Sequence, residues 1–233
     1  MLTDQQKERY NRQILLPNFG EAAQEKLLKA KVLVVGAGGL GCPVLQYIVG
    51  AGIGNVGIID ADVVSLSNLQ RQILYTEAEI GQYKAELAAK KMAALNSDVS
   101  FEVYTEFLSE ENAKAIIAKY DMVVGATDNF KSRYLIDKYT KELGLPFVHG
   151  SIGEYEGQYT VFNYKGSMAY ADLFPNSNAD GGKVLGVMGA LPGVIGSYMG
   201  WEVIKIASEV GEVAANKLFI YNGLNNKIHQ LKY

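Results

Sequence analysis

Cysteine and histidine are scarce in this 233-residue chain, which has Cys42 as its single cysteine and His149 and His229 as its two histidines. A lone cysteine cannot form an internal disulfide, and these three residues cannot supply the four ligands of a structural zinc site. The sequence therefore predicts no zinc. Cys42 follows a glycine at a predicted helix start, and we interpret it as a small buried residue that packs the helix on its strand.

The chain also has neither a strong net charge nor a long apolar run. Its formal net charge is -3, which gives no overall attraction to nucleic acid or anionic lipid. No apolar run approaches the roughly 20 residues that cross a bilayer, and the N-terminal stretch MLTDQQKERYNRQ is too polar for a secretory signal. We expect a cytoplasmic protein whose partners include neither nucleic acid nor a membrane.

From residue 31 to residue 150, short β-rich runs alternate with helical patterns, among them predicted helices at about 40–50, 82–95 and 131–143. Continuous apolar strands separated by helices are typical of a parallel sheet covered on both faces. Residues 1–30 read as helices, with Thr3 and Gln6 spaced as a capping box. This part of the chain therefore predicts an N-terminal helical segment followed by a nucleotide-binding core.

After residue 150 the pattern changes to an alternating strand, a long polar loop, an apolar helix at about 192–210 and two terminal strands. The predicted fold class is thus α/β, a Rossmann-like mostly parallel sheet with flanking helices, extended by antiparallel C-terminal strands. Since no linker or repeat interrupts the chain, we expect one domain, 1–233, made of segments 1–30, 31–150 and 151–233.

The stretch VLVVGAGGLGCP ends a predicted strand in glycines spaced G-x-G-x-x-G, at Gly36, Gly38 and Gly41. Such a turn brings backbone N–H groups and the positive end of a helix dipole up to phosphate oxygens. Asp60 ends the next predicted strand, where an acid can accept hydrogen bonds from ribose hydroxyls. These features fit an NAD-dependent oxidoreductase equally well, and a tight turn in an unrelated α/β protein would also produce the glycines.

The polar residues that follow Asp60 favour a triphosphate over a nicotinamide ring. The segment DADVVSLSNLQRQ brings Ser67, Asn68, Gln70 and Arg71 close together, and the guanidinium of Arg71 is suited to a bidentate contact with phosphate. A triphosphate requires several such donors, whereas a nicotinamide ring does not.

Two further positions carry charge where a nucleotide would lie. Lys84 precedes Leu87 and Ala88 by three and four residues and shares their inward-facing stripe, although its ammonium could instead reach solvent past the helix end. Asp128 and Asn129 follow a predicted strand, where a carboxylate could hold Mg²⁺ and where either residue could cap the next helix.

Together these stretches resemble the ThiF/MoeB/HesA family, the bacterial relatives of ubiquitin-activating enzymes. The matching stretches are RYNRQILLPNFG at 9–20, VLVVGAGGLGCP at 32–43, DADVVSLSNLQRQ at 60–72, GQYKAE at 81–86, ATDN at 126–129 and GVIGSYMGWEVIK at 193–205. They occur in the family's order over nearly the whole chain, which makes the combination far more specific than the glycine spacing alone.

The resemblance implies an adenylyltransferase that uses ATP and Mg²⁺. Its substrate would be the C-terminal Gly-Gly carboxylate of a ubiquitin-like sulfur-carrier protein of ThiS or MoaD type, activated as an acyl-adenylate with release of pyrophosphate, for thiamine or molybdopterin biosynthesis. Arg12 matches an arginine that reaches ATP from the partner subunit, which implies a homodimer. The alternatives are an NAD-dependent oxidoreductase and a non-catalytic module that binds a ubiquitin-like partner.

By this resemblance Asp60 binds ribose, Asn68, Arg71 and Lys84 contact phosphates, and Asp128 orients Mg²⁺. The predicted catalytic residues are Arg12, Arg71, Lys84 and Asp128. The predicted nucleotide-binding residues are Gly36, Gly38, Gly39, Gly41, Asp60, Ser67, Asn68, Gln70, Arg71, Lys84, Asp128 and Asn129. Arg133 is a further candidate for guiding the carrier's tail, with a solvated helix arginine as the alternative.

The sequence departs from the family at its cysteine positions. Many members bind zinc through a CxxC before LFP and a second CxxC near the C-terminus; here Ala169 and Asp172 occupy the first pair and the second is absent. Gly182 aligns with a crossover-loop cysteine that bonds to the carrier in some members, which puts covalent carrier chemistry on this chain in doubt. A sulfurtransferase extension is absent too, so we expect a separate sulfur-donor protein.

Overall fold

The computed structural model describes residues 1–175 and 186–233 and centres on one sheet. Its strands are β1 (Lys31–Val35), β2 (Asn55–Ile59), β3 (Ser100–Tyr104), β4 (Met122–Gly125), β5 (Phe147–Gly153), β6 (Glu156–Phe162), β7 (Lys217–Asn222) and β8 (Lys227–Lys232). Their order is β3-β2-β1-β4-β5-β6-β7-β8. The strands from β3 to β5 in this order pair in parallel, and those from β5 to β8 pair antiparallel. The predicted fold class is confirmed.

Helices precede the sheet and connect its strands. They are α1 (Asp4–Arg9), α2 (Asn11–Ile14), α3 (Gly20–Lys29), α4 (Gly41–Ala51), α5 (Lys84–Leu95), α6 (Ala113–Ile117), α7 (Phe130–Leu143), α8 (Tyr170–Leu173) and α9 (Leu191–Ser208). The predicted helices at 40–50, 82–95, 131–143 and 192–210 correspond to α4, α5, α7 and α9. The Thr3–Gln6 capping box is present at the start of α1.

The central strands are buried because helices cover both faces of the sheet. Val32 and Val34 of β1 point into a core that includes residues of α4, α5 and α9. Leu33 and Val35, which alternate with them, point into a second core that includes residues of α6, α7 and α8. Among the described residues, no helix is both long enough and apolar enough to cross a bilayer.

The register of the parallel strands brings three loops to one edge of the sheet. Val35 pairs with Ile59 on one side and with Gly125 on the other, so β1, β2 and β4 end side by side. Immediately beyond them, the N–H of Gly36 donates to the Ile59 carbonyl at 2.9 Å and the N–H of Ala126 donates to the Val35 carbonyl at 2.8 Å. The loops that follow these strands therefore start next to one another.

A close approach between α3 and the start of β2 requires glycine at position 54. A Cβ placed on Gly54 would lie 1.8 Å from the carbonyl oxygen of Leu28, whereas a Cβ on Gly50, exposed on α4, would meet nothing within 4 Å. We expect Gly54→Ala to lower the free energy of unfolding by about 2 kcal/mol or more, because backbone atoms must move apart. Gly50→Ala should leave it unchanged or raise it by up to about 1 kcal/mol, since alanine favours the helix.

Urea denaturation at 25 °C of the two variants and the parent measures this difference. Equal stability of the two variants would contradict the assigned contact.

Candidate active site

A cleft of about 290 Å³ opens at the edge of the sheet where β1, β2 and β4 end. Its lining comes from the glycine turn after β1, the loop after β2, the start of α5 and the segments after β3 and β4. The predicted nucleotide-binding residues that line it are Gly36, Gly38, Gly39, Asp60, Asn68, Arg71, Lys84, Asp128 and Asn129. The structure thus brings together residues that are far apart in the sequence.

Two glycines make the turn into α4 possible. Gly36 has φ +97°, and a Cβ on it would lie 2.6 Å from the Ala126 carbonyl oxygen. A Cβ on Gly41 would lie 2.0 Å from the carbonyl oxygen of Gly36. Gly41 does not line the cleft, because it packs beneath Gly36, and its contact with the nucleotide stays a prediction. The tight turn directs the N-terminus of α4 toward the cleft, as an anion site requires.

Cys42 is fully buried at the start of α4, and its Sγ lies 3.5 Å from the Ala37 carbonyl oxygen. Burial raises the pKa of the thiol to about 12, so the sulfur stays protonated at neutral pH. The interpretation of Cys42 as a packing residue is confirmed.

Asp60 is fixed by two backbone donors. Its Oδ2 accepts from the N–H of Ala37 at 2.7 Å, and its Oδ1 accepts from the N–H of Asp62 at 2.8 Å. Burial raises the pKa of this carboxyl group, against the lowering effect of both hydrogen bonds. Each carboxylate oxygen keeps a lone pair for another donor. The side chain can therefore accept from a ligand hydroxyl without moving.

Lys84 places a buried ammonium at the cleft. Its side chain is 5% exposed, and Nζ lies 3.0 Å from Oδ2 of Asp62, whose side chain is 60% exposed. The alternative in which Lys84 reaches bulk solvent is wrong, because the start of α5 faces inward. Its counter-ion is an exposed carboxylate, which can return to water when a more highly charged anion reaches the ammonium. A phosphate could thus take the place of Asp62.

The loop after β2 presents Arg71 at the cleft. Nη1 of Arg71 donates to the carbonyl of Ser67 at 3.0 Å, and its other guanidinium donors make no hydrogen bond to residues 1–175 or 186–233. Ser67 itself does not line the cleft, because its hydroxyl faces that of Ser65 at 3.1 Å. Gln70 also lies outside the lining, because its backbone packs against Gly189. Ser67 and Gln70 thus lie outside the cleft lining, and their contact with a nucleotide stays a prediction.

Asp128 and Asn129 have separate roles. The Oδ1 of Asn129 accepts from the N–H of Ser132 at 2.8 Å and caps α7. Asp128 is exposed at the cleft, with the Asn129 amide 3.5 Å from its Oδ1. Within residues 1–175 and 186–233, no group of three acidic, histidine or cysteine side chains forms a metal site. Asp128 fits a Mg²⁺ ion whose remaining ligands come from phosphate and water.

Arg133 is buried, with 8% exposure, and lines the cleft. Its Nη2 donates to the Thr127 carbonyl at 3.0 Å, and its guanidinium lies 5.4 Å from the centre of the Phe130 ring. The alternative of a solvated helix arginine is therefore wrong. Nε of Arg133 and the hydroxyl of Thr127 are buried without a hydrogen-bond partner in the described part of the chain. Both groups can therefore form a hydrogen bond with a ligand.

Several lining residues were not predicted. Gln72 is 4% exposed, and its buried Oε1 has no hydrogen-bond partner among the described residues. Gln72 could have been found from the sequence, because it ends the polar stretch SNLQRQ that supplies Asn68 and Arg71. Phe107 is 73% exposed and lines the cleft with Glu106 and Leu108, just after β3. The stretch TEFLSEEN carries no motif, so only the position after a strand could have indicated Phe107.

Arg12 does not line the cleft of its own chain. It is exposed on α2, and it makes no hydrogen bond or ion pair within the described ranges. Its contact with ATP in a second subunit stays a prediction.

The positions that hold zinc ligands in many relatives do not fit a zinc ion here. Ala169 has no ligand atom, and Oδ2 of Asp172 accepts from the N–H of Ala169 at 3.2 Å. The buried carboxylate of Asp137 accepts from the N–H groups of Tyr170 and Ala171 at 2.8 and 3.1 Å, which fixes the start of α8. Gly182, the position of the crossover-loop cysteine, lies outside the described residues.

The fold is an α/β sheet whose cleft combines a glycine turn at a helix N-terminus with the cationic side chains of Arg71 and Lys84. A sequence profile described as the ThiF family matches residues 10–233, and the chain belongs to this family.

Curated relatives cover nearly the whole chain. The sulfur carrier protein adenylyltransferase of Thermus thermophilus is 43% identical over 98% of this chain and 88% of that protein. The adenylyltransferase and sulfurtransferase MOCS3 of Arabidopsis thaliana is 43% identical over 99% of this chain and 51% of that protein. The chain spans about half the length of the MOCS3 relatives.

Two solved structures share the fold. Escherichia coli MccB with MccA-N7isoASN has a TM-score of 0.85 at 21% identity, covering 97% of this chain and 71% of MccB. PaaA has a TM-score of 0.83 at 23% identity, covering 99% of this chain and 74% of PaaA. At these identities the likeness extends to the fold alone.

His149 lies on β5 and is fully buried among aromatic rings. Its ring centre is 5.1 to 6.1 Å from those of Phe147, Phe162, Tyr170 and Phe174. Neither ring nitrogen has a hydrogen-bond partner within the described residues. Burial, and secondarily the positive charge of Arg133, lowers the pKa of His149 well below 6.5. The imidazole is therefore neutral in the folded protein.

This burial makes the stability pH-dependent. Below pH 6.5 the unfolded chain protonates His149 and the folded chain does not, so the free energy of unfolding should fall by about 1.4 kcal/mol per pH unit from this residue. We expect His149→Phe to remove the contribution of His149 to the slope of the free energy of unfolding against pH between pH 6.5 and 5. His229→Phe, which changes an exposed histidine on β8, is the control. Urea denaturation across this range measures the slopes, and an unchanged slope in His149→Phe would contradict the prediction.

Proposed function

We propose that the protein is an ATP-dependent adenylyltransferase. It activates the C-terminal Gly-Gly carboxylate of a ubiquitin-like sulfur-carrier protein as an acyl-adenylate and releases pyrophosphate. Membership of the ThiF family and the names of the curated relatives support this activity. The observation that carries it is the buried ammonium of Lys84 at the cleft, opposite an exposed and replaceable counter-ion.

The cleft offers a distinct environment to each part of ATP. Phosphates fit the glycine turn at the N-terminus of α4, within reach of Arg71 and Lys84. Asp60 ends the neighbouring strand and offers its carboxylate to the ribose hydroxyls. Beyond Asp60 the lining turns apolar at Phe107 and Leu108, where a purine base would be covered.

The reaction needs no side-chain nucleophile. The carrier's carboxylate is already ionised at neutral pH, so its oxygen attacks the α-phosphorus directly without a general base. A bond forms between that oxygen and the α-phosphorus, and the bond from the α-phosphorus to the bridging oxygen breaks as pyrophosphate leaves. Negative charge builds on the phosphoryl oxygens and the leaving group. Arg71 and Lys84 stabilise this charge from fixed positions.

Asp128 would hold Mg²⁺ together with the phosphates. With Mg²⁺ bound there, the charge of the phosphate oxygens would be partly neutralised, which would let a second anion approach them. Arg133 lines the same cleft and would hold the carrier's C-terminal tail in position for attack.

A homodimer completes this proposal, with Arg12 contacting ATP in the partner's cleft. Next to Arg12, Leu15 and Leu16 are 67% and 49% exposed, as expected of apolar residues that an assembly covers. In this proposal a separate protein supplies the sulfur. The carrier belongs to thiamine or molybdopterin synthesis, and the reaction takes place in the cytoplasm.

The two alternative functions do not explain why these charged residues are present at the cleft. An NAD-dependent oxidoreductase does not need Arg71 and Lys84 at its pyrophosphate turn. A non-catalytic module would retain the four predicted catalytic residues without using them.

Exchange of labelled pyrophosphate into ATP tests the activity. With Mg²⁺ and a ThiS-type or MoaD-type carrier ending in Gly-Gly, we expect exchange with one of the two. Lys84→Ala should lower the rate by about 10²- to 10³-fold, because a fixed charge beside the reacting phosphate is lost. Lys90→Ala, on the exposed face of the same helix, is the matched control. A folded protein that exchanges with neither carrier, or that binds NAD(H) tightly and ATP not at all, would refute the proposal.

The dependence of the pyrophosphate exchange rate on Mg²⁺ concentration tests the role of Asp128. Asp128→Asn preserves the shape of the side chain and removes its charge, so the Mg²⁺ concentration for half-maximal exchange should rise by about tenfold. Asp128→Glu retains a carboxylate, so its Mg²⁺ concentration for half-maximal exchange should lie between those of Asp128→Asn and the parent. If Asp128→Asn needs no more Mg²⁺ than the parent, Asp128 does not hold the ion.

A further inference from the structure

The short helix α2 is fixed at the end of α4 that lies away from the cleft. Nε2 of Gln13 donates to the carbonyl of Ala51 at 3.0 Å and to Oε1 of Gln24 at 2.8 Å. Gln24 is fully buried, and its own Nε2 donates to the same Ala51 carbonyl at 2.9 Å. These bonds satisfy a carbonyl at the C-terminal turn of α4, which helix geometry leaves without an intrahelical donor.

Tyr10 forms a second attachment one turn earlier. It is 2% exposed, and its hydroxyl donates to Oδ2 of Asp98 at 3.0 Å and accepts from Nδ2 of Asn96 at 2.9 Å. Asn96 caps the C-terminus of α5 and also donates to the carbonyl of Val49 at 2.8 Å. Tyr10 and Gln13 thus tie α2 to the C-terminal ends of α4 and α5, two helices whose N-termini lie at the cleft.

This attachment separates Arg12 from the cleft of its own chain. Helix α4 begins at Gly41 beside the cleft and ends at Ala51, where α2 is attached. At 1.5 Å per residue, the two ends are about 15 Å apart, which is farther than an extended arginine side chain reaches. The guanidinium of Arg12 is therefore available to another molecule and not to its own cleft.

We infer that Tyr10 and Gln13 are positioning residues that present Arg12 to the cleft of a second copy of this chain. The inference rests on the proposed function, in which Arg12 acts in the partner's site. Helix α2 has four residues, too few to be stable by itself, so its attachments determine where it points. Tyr10 and Gln13 face the chain's own helices, and Arg12, between them in sequence, is exposed.

Mixed dimers of the full chain, assembled from differently tagged subunits, test the inference. Lys84→Ala and Arg12→Ala are each expected to be inactive in pyrophosphate exchange. A dimer that contains one subunit of each should regain activity at one site, because the Arg12→Ala subunit keeps Lys84 and receives Arg12 from its partner. This dimer is the reference for the next comparison.

Gln13→Ala is then added to one subunit or the other, and Tyr10→Phe is tested in the same way. In the Lys84→Ala subunit, which supplies Arg12, each change should lower kcat by about 10- to 100-fold with little effect on the KM for the carrier. In the Arg12→Ala subunit each change should have no effect, since that subunit supplies no arginine. Gln5→Ala, which removes an exposed glutamine side chain on α1, is the control in both placements.

The outcomes distinguish this inference from the function on which it rests. Equal losses in the two placements, or no loss in either, would overturn the positioning role while leaving the trans contact of Arg12 intact. A reference dimer that stays inactive although the parent is active would overturn the trans contact and, with it, the inference. Absence of exchange in the parent protein would overturn both together with the adenylyltransferase activity.

Discussion

The approach of the Gly41 backbone to the carbonyl of Gly36 sets the position of everything else in the cleft. At this contact a methyl group would lie 2.0 Å from the carbonyl oxygen, so the chain turns here only with glycine. The turn brings α4 against β1 and directs its N-terminus toward the ends of the neighbouring strands. Asp60 and Asp128 follow those strands and so share the same edge of the sheet. A wider turn would move the helix end away from both acids.

Several buried charged or polar groups at the cleft lack a buried partner within the described part of the chain. Lys84 is buried, yet its ion-pair partner Asp62 is largely exposed, while Arg133 and Gln72 each keep a buried polar atom without a partner in the described residues. Buried polar groups are normally satisfied, since an unsatisfied group costs about 1 to 3 kcal/mol. Lys84 and Nε of Arg133 can donate to an anionic ligand beside the glycine turn, whereas Oε1 of Gln72 can accept from a ligand N–H or hydroxyl group.

Much of this arrangement could be predicted because local sequence determines it. The apolar runs predicted the parallel strands, and residues directly after those runs, such as Asp60 and Asp128, had to meet at one edge. The burial of Lys84 followed from its helical stripe. Ser67 and Gln70, which we predict to bind the nucleotide, lie outside the cleft lining, because adjacent residues in a tight turn point in different directions. Phe107 and the Asp62 counter-ion depend on tertiary packing, which no motif in the sequence reveals.

The burial of Cys42 has a practical consequence. Its thiol is fully enclosed and protonated, and it is the single cysteine of the sequence. Thiol-directed dyes react with thiolates and need access to the sulfur, so the native cysteine should remain unmodified. A new cysteine on an exposed surface would then be the single reactive site, without removal of the original. Fluorescent donor and acceptor dyes attached in this way could report the distance between the two subunits of the proposed homodimer directly.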